Sequence, residues 1–476
     1  NEKGITVANK KRFTGIVLAA GEGKRLKLKT PKPLIKTGGL SMVSFSIDAI
    51  LGATESLSFD GDVSVVIGHE KDLIEKRLNE RYSDKIEYIY QKKPLGTGDA
   101  LKSFLDQTSK MNDSEFFIIM CADTPLVRKE HLIYLVEHLE ENKLDAVVAT
   151  FEAHNPYGYG RIIRDPDSIS GFKIIEEKDA TDALKKINEV NSGLYVVKKK
   201  FMLDRIGKIN AENASNEFYL TDIFDLNENI NTLNFENGEE IFKGVNDLNQ
   251  LDAVDRILRS QKIETLRDDG VRFFDNLNTY IEEDVQIGAG SEIYPNTYLM
   301  GKTKIGQNVL IEPGVVIKDS IIENGVQIYS YSNIDGSHIR EGAKIGPFAR
   351  LRPEADIGCG AKVGNFVEIK KSNLESGAKV SHLSYVGDAL IGKDTNIGCG
   401  FITCNYDGKS KHQTEIGKNC FIGSDTQTIA PVQIGDDCFV ASGSTINNDM
   451  PSGSFGISRN KQVTKKGLAK KFLKNN

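Results

Sequence analysis

The chain has 476 residues, with 61 Lys and Arg against 67 Asp and Glu, for a formal net charge of −6. That length suffices for two or three domains with real cores, and the balance of charge argues against a nucleic-acid partner, because no basic face large enough to track phosphates stands out. No window approaches eighteen apolar residues, and the N-terminal stretch is polar and basic without an apolar segment, so neither a membrane partner nor export is expected.

The first half reads as α/β. Apolar runs at residues 15–20, 63–68, 86–91, 116–121 and 146–151 predict buried strands. Helical spacing at residues 42–51, 71–79, 100–105 and 129–140 lies between them. Such alternation implies a mostly parallel sheet with helices on both faces. The first strand runs into Leu18-Ala19-Ala20-Gly21-Glu22-Gly23-Lys24-Arg25, followed by Pro31-Lys32-Pro33-Leu34. A glycine-rich turn after a strand exposes backbone N–H groups, and the nearby Arg25 and Lys32 add positive charge, which suits a nucleotide triphosphate. The pattern is neither that of a P-loop nor that of a dinucleotide-binding turn, and a tight turn with solvated charges fits it equally well.

Gln91 precedes a second glycine-rich turn, Leu95-Gly96-Thr97-Gly98-Asp99-Ala100. The run at 116–121 ends in Ala122-Asp123-Thr124-Pro125, which puts a carboxylate at the C-terminal mouth of a buried strand, where open α/β sheets bind ligands. A helix N-cap is the other reading of Asp123. Between Asn246 and Asp268, Leu248, Leu251, Val254, Ile257 and Leu258 recur at helical spacing among charges and predict one amphipathic linking helix.

From Ile281 onward the chain repeats every six residues. Ile281, Ile287, Ile293, Leu299, Ile305, Ile311 and Ile317 are in strict register, and after single-residue slips the series continues to Val363, Ile369, Val380, Val386, Ile391 and Ile397. It resumes at Ile416 and runs to Ile446. A period of six fits a parallel β-helix in which each hexapeptide makes one short strand and one corner, with the aliphatic side chain inside. Glycines after the aliphatic, as at Gly288, Gly306, Gly346 and Gly398, are expected where a corner needs positive φ or close backbone approach.

His382 lies among small polar residues in this solenoid, unlike its aliphatic surroundings; taken alone it reads as a surface imidazole. Arg352 and Lys370 are eighteen residues apart and His382 a further twelve, so all three are expected to converge on one ligand. The insertion that starts at Thr403-Cys404-Asn405-Tyr406-Asp407-Gly408-Lys409 breaks the register and is expected to carry a binding loop. The six cysteines include no CxxC pair and do not cluster with the seven histidines, which points to reduced thiols in a cytoplasmic protein and away from zinc. The lysine-rich tail after Arg459, from Lys461 to Lys474, reads either as a solvated terminus or as a contact for a phosphorylated ligand at the end of the solenoid.

Taken in order, LAAGxGxR, PK, LGTG and the strand-end Asp123 resemble sugar-1-phosphate nucleotidylyltransferases. Gly158-Tyr159-Gly160-Arg161, Ile175-Glu176-Glu177-Lys178, Asn191-Ser192-Gly193, Glu217-Phe218-Tyr219-Leu220-Thr221-Asp222 and Gly244-Val245-Asn246 narrow the likeness. Joined to the hexapeptide repeat, the set resembles the bacterial bifunctional N-acetylglucosamine-1-phosphate uridylyltransferase/glucosamine-1-phosphate N-acetyltransferase family. The resemblance implies a Rossmann-like nucleotidyltransferase domain at 1–247, a linker helix at 248–272, a left-handed β-helix acetyltransferase domain at 273–460 and a basic tail at 461–476.

It also implies roles. Leu18, Ala19, Ala20, Gly21 and Gln91 would hold uracil and ribose, with Gly96 and Thr97 near the base. Arg25 and Lys32 would act on the triphosphate, Asp123 and Asn246 would bind Mg²⁺, and Gly160, Glu176 and Asn191 would hold the N-acetylated sugar. His382 would be the general base of acetyl transfer from acetyl-CoA. Arg352 and Lys370 would grip the sugar phosphate beside Tyr385, Asn396 and Asn405. Tyr406, Ser424 and Arg459 would line the CoA path, with Cys399 and Ser442 at positions where the family tends to have Ala. A homotrimer with UTP as nucleotide substrate is implied as well. The sequence departs from the family at Glu22, Lys24, Cys121 and Ala122. Two other readings stay open: a nucleotidylyltransferase for another sugar with a purely structural β-helix, and a non-catalytic scaffold.

Overall fold

The computed structural model describes residues 11–21, 23–109, 114–164, 171–226 and 228–473. Glu22, the side chain of Lys24, and Lys474 lie outside the described residues. The chain divides into two compact units, one ending at Leu258 and the other starting at Arg259.

In the first unit the chain order is β1 (Arg12–Leu18), α1 (Met42–Leu57), β2 (Asp60–Ile67), α2 (Lys71–Tyr82), β3 (Ile86–Tyr90), α3 (Thr97–Gln107), β4 (Phe116–Cys121), α4 (Lys129–Glu141), β5 (Ala146–Glu152), β6 (Arg161–Ile163), β7 (Lys173–Ile175), β8 (Glu189–Lys198), α5 (Lys199–Ile206) and β9 (Ile230–Asn234). The main sheet runs β9-β5-β8-β4-β1-β2-β3, with β6 and β7 added at β8. Strands β3, β2, β1 and β4 are parallel, as are β5 and β9, while β8 runs antiparallel between β4 and β5. Alternate residues feed two cores. Phe13 and Val17 pack on one face with Ile47 and Leu135, and Ile16 and Val66 on the other with Leu101 and Phe104. The sheet is therefore covered on both sides. Strand β8 escaped the apolar-run reading because Asn191, Ser192 and Gly193 interrupt it, where its register against β5 shifts between Asn191 and Tyr195.

Helix α6 (Leu248–Asp268) supplies Val254 and Leu258 to a small core with Leu26, Met42, Phe45 and Val245. Its later residues Ile263 and Leu266 belong to the core of the second unit. The division between units thus falls inside the helix.

The second unit consists of three parallel sheets of 11, 10 and 9 strands, the three faces of a left-handed parallel β-helix. Each short strand pairs with its counterpart one coil on, as Ile311 does with Ile328 and Ile345 with Val363. The repeating aliphatic residues named above are all buried, and they form one continuous core. The glycines after them split by cause. Gly346 has φ of 95°, but a Cβ on Gly288, Gly306 or Gly398 would instead lie 2.5–2.8 Å from atoms of the next coil. Close stacking, more often than dihedral freedom, requires glycine there.

Ile369 is fully buried in mid-solenoid. Ile369→Ala leaves a cavity between stacked coils and is expected to cost about 2–5 kcal/mol, read as a lower urea midpoint for the second unit.

Candidate active sites

Because β1 and β4 are parallel and Leu18 pairs with Cys121, the turn Ala19–Ala20–Gly21 and the pair Ala122–Asp123 leave the sheet at one edge. A cavity of about 460 Å³ opens there, lined by Leu18, Ala19, Ala20, Gly21, Lys32, Gln91, Gly96, Thr97, Cys121, Asp123 and Glu176. Pro33, Pro94, Glu217 and Tyr219 also line it, and no role had been assigned to them from the sequence. Gly23, at φ 65°, lets the first turn fold onto Lys32, since a Cβ there would lie 2.6 Å from that side chain. Asp123 is no helix cap: α4 begins six residues later, capped by Arg128.

Val245 N donates to Asp123 O at 2.9 Å and so brings Asn246 beside the strand end. The Lys32 ammonium then lies between two oxygens, Asp123 Oδ2 at 2.5 Å and Asn246 Oδ1 at 3.1 Å. Arg25 donates to the same Asn246 Oδ1 at 2.9 Å. Arg25 and Asn246 thus stand at the cavity's margin.

Gly160, Glu176 and Asn191 come together across three strands. A Cβ on Gly160 would lie 3.6 Å from both Asn191 Cβ and Glu176 Oε1. Asn191 donates to Tyr195 OH at 2.7 Å and accepts from Gly193 N at 3.0 Å, so its amide orientation is set. Burial raises the Glu176 carboxyl above its usual range and the carboxylates of Asp222, Asp179 and Glu217 push the same way, against a hydrogen bond from Thr221 at 2.9 Å. Burial, with Asp123 nearby, pushes the Cys121 thiol up to about 12.

The β-helix carries a second constellation, on two of its edges. On the edge between the 11- and 10-stranded faces, register places His382, Cys399, Ser424 and Ser442 at equivalent positions of four successive coils. Arg459 joins them by donating to Ser442 O at 2.6 Å. His382 Nδ1 meets Asn365 Oδ1 at 2.8 Å. A carbonyl oxygen only accepts, so Nδ1 carries the proton and Nε2 of the neutral ring keeps its lone pair. Asn396 lies on the face that leads to this edge, one coil after Lys379.

The next edge, between the 10- and 9-stranded faces, stacks Arg352 on Lys370. Arg352 donates to Glu368 at 2.9 Å; Lys370 and Asn405 both reach Asp388 Oδ2, at 3.4 and 2.5 Å. Gly387 has no side chain because Tyr385 OH and Asn405 Nδ2 occupy the space a Cβ would take. Eighteen residues return the chain to the same edge, but twelve more carry it to another. Arg352 and Lys370 are therefore together, and His382 is one face away, across the strand that Tyr385 opens.

The insertion holds a cation that the sequence reading passed over. Asp407 accepts from Lys409 N and Ser410 N, both at 2.7 Å, and meets His412 Nε2 at 2.7 Å, which fixes the loop and lowers its own carboxyl pKa. Lys411 is thereby set beside Lys370, and a hydrogen bond with that side chain, then its charge and burial, pull the Lys411 pKa down, with Arg352 pushing the same way. Crowded cations of this kind suit a phosphate dianion. Tyr406 is exposed, its hydroxyl bound to Gly408 O at 2.7 Å. The signal for Lys411 was available in the basic residues of the insertion.

Strand-end turns around a cavity with paired cations, joined to a β-helix with its own histidine edge, define a nucleotidyltransferase fused to a hexapeptide-repeat transferase. Residues 15–187 match the MobA-like NTP transferase domain, and residues 284–319 and 413–448 match the bacterial transferase hexapeptide (six repeats). The chain is 40% identical over 463 residues to the bifunctional protein GlmU of Clostridioides difficile, covering 96% of this chain and 98% of that one. It is 41% identical over 470 residues to the GlmU of Caldanaerobacter subterraneus, covering 97% and 98%. The chain belongs to the bifunctional GlmU family. It is an enzyme of two activities, glucosamine-1-phosphate N-acetyltransferase and N-acetylglucosamine-1-phosphate uridylyltransferase, with acetyl-CoA and UTP as co-substrates.

With its thiol pKa near 12, Cys121 is almost wholly protonated at pH 8. Iodoacetamide at pH 8 is expected to label the exposed Cys359 and Cys404 while sparing Cys121 until the protein unfolds, as read by peptide mass mapping.

Proposed function

We propose that the β-helix acetylates glucosamine-1-phosphate first and that the N-terminal cavity then uridylylates the product, with the site residues acting as follows. The observation that carries this reading is the pair of separate constellations, one on each unit, with Lys32, Asp123 and Asn246 at the first and His382, Lys370 and Arg352 at the second.

At the first site Leu18 to Gly21, Gln91, Gly96 and Thr97 hold the nucleoside, and Gly160, Glu176 and Asn191 hold the sugar. Asp123 and Asn246 fit Mg²⁺, since one carboxylate and one amide oxygen already enclose a cation, the Lys32 ammonium. Hard oxygen ligands in this small number, completed by phosphates and water, are what Mg²⁺ takes. No cluster of three or more potential His, Cys, Asp or Glu ligands competes with them among the described residues. When bound, the ion supplies charge neutralisation on the phosphates. The sugar phosphate oxygen attacks the α-phosphorus in line and pyrophosphate leaves, while Lys32 and Arg25 offset the negative charge.

At the second site His382 Nε2 takes the proton from the glucosamine amine as nitrogen attacks the thioester carbonyl, and CoA leaves as its thiol. Arg352, Lys370 and Lys411 grip the phosphate; Tyr385, Asn396 and Asn405 hold the sugar; Cys399, Tyr406, Ser424, Ser442 and Arg459 follow the CoA chain. The base and the phosphate grip lie on different edges of one chain, about 10 Å apart across a three-residue strand. A homotrimer in which one copy's histidine edge meets the cation edge of its neighbour completes the site. A column of exposed side chains, Tyr331, Phe348, Phe366 and Leu383, beside His382 supports such an interface. Unpaired cysteines support a cytoplasmic location, and no helix among the described residues is long and apolar enough to cross a membrane.

Asp123→Ala is expected to lower pyrophosphate release by roughly a hundredfold or more and to spare acetyl transfer. His382→Ala is expected to do the reverse, by about 10²–10⁴-fold. Free thiol and pyrophosphate followed separately test this, and loss of both activities in either variant would refute two independent sites. Coexpression of His382→Ala with Lys370→Ala in equal amounts should restore about a quarter of the acetyl transfer if neighbouring copies share sites. No recovery would place each site within one chain.

A further inference from the structure

The side chain of Gln91 is buried at the floor of the nucleotide cavity, and both of its amide protons are engaged. Nε2 donates to Gly96 O at 3.1 Å and to Asp99 Oδ2 at 2.8 Å. A carbonyl and a carboxylate offer no proton, so the amide has to turn its NH₂ toward them. What is left for a ligand is Oε1, which can only accept.

The first of these anchors cannot shift. Gly96 sits at φ 111°, and a Cβ there would lie 2.5 Å from Phe218 O. Phe218 in turn is tied on both sides, accepting from Gly98 N at 2.7 Å and donating to Leu95 O at 2.8 Å. Asp99 is the second anchor. Lost alone, it leaves the amide one hydrogen bond from turning over, where now it is two.

An acceptor facing a base selects for an N–H at that edge. Uracil carries a proton at N3; cytosine presents a lone pair at the same atom, which would face the lone pairs of Oε1. We propose that Asp99 is a positioning residue for base choice: by fixing the Gln91 amide it makes the cavity favour a pyrimidine bearing N3–H over one that lacks it. The inference rests on the reading of Gln91 as the base contact of the uridylyl site. Asp99 also stands in the first turn of α3, where a carboxylate suits the helix dipole whatever Gln91 does.

The experiment compares pyrophosphate release from UTP and CTP, as a ratio of kcat/KM values, in the full chain and in Asp99→Ala and Asp99→Asn. Asp99→Ala should lower the UTP preference by about tenfold or more. Asp99→Asn lacks the charge but still offers Gln91 a carbonyl oxygen, and it should keep the preference within about threefold of the parent. An unchanged ratio in Asp99→Ala would overturn the proposal. So would an equal loss in Asp99→Asn, which would assign Asp99 to the helix end instead. Melting temperature reports folding, and Asp99→Leu, of similar shape without an acceptor, replaces Asp99→Ala if that variant does not fold. Failure of the parent chain to turn over UTP would count against the uridylyl reading itself, not against the role of Asp99 within it.

Discussion

Backbone hydrogen bonding from each coil to the next is the constraint on which the C-terminal unit depends. Every strand of two to four residues is too short to persist alone, and between the first and last coils each is held by a parallel neighbour 17 or 18 residues away, or 25 across the insertion. The aliphatic residue of each hexapeptide fills the space inside, and glycine is required where coils approach most closely. One consequence is a ruler. Any side chain repeated at the coil spacing lies directly above its predecessor, which is how Arg352 comes to stand by Lys370 and His382 by Cys399 and Ser424. Catalytic geometry on this unit is thus a matter of counting along the chain.

The N-terminal unit reaches precision by another route. Parallel strands leave the sheet at one edge, so turns far apart in sequence share a single cavity. The finer placement comes from backbone clamps such as Val245 N on Asp123 O, which brings a residue 123 positions later to the metal-type oxygen pair. Lys32 held between those oxygens is a local balance of charge: without a cation, a carboxylate and an amide oxygen would face each other at the mouth of an apolar strand bundle. Desolvation there also accounts for the raised Glu176 carboxyl and the raised Cys121 thiol.

Much of both constellations was legible as motifs because the glycine turns, Lys32 and the strand-end carboxylate stand in one order along the chain, although each alone has a structural use. What stayed hidden had ordinary local signatures. Asn365, which sets the His382 tautomer, is one polar residue among many until the coil register puts it opposite the imidazole. Lys411 is one of many lysines until Asp407 folds its loop. Strand β8 was obscured by the same Asn-Ser-Gly run at which its register against β5 shifts. A six-residue period identifies equivalent positions without saying which of three edges they occupy, so only the coil register sets His382 one face away from Arg352 and Lys370.

By itself the sequence determined the alternation of strands and helices, the solenoid and its core residues, and the identity of the chemically unusual side chains. These follow from periodicity and from local backbone demands, both of which act over a few residues. Only the tertiary structure decided which of those side chains meet: the Lys32 ammonium between Asp123 and Asn246, the Gln91 amide on Asp99, and Arg352 with Lys370 on one edge and the imidazole on the next. Such meetings depend on sheet order and coil register, and these are set by burial and hydrogen bonding summed over the whole unit, not by any segment of it.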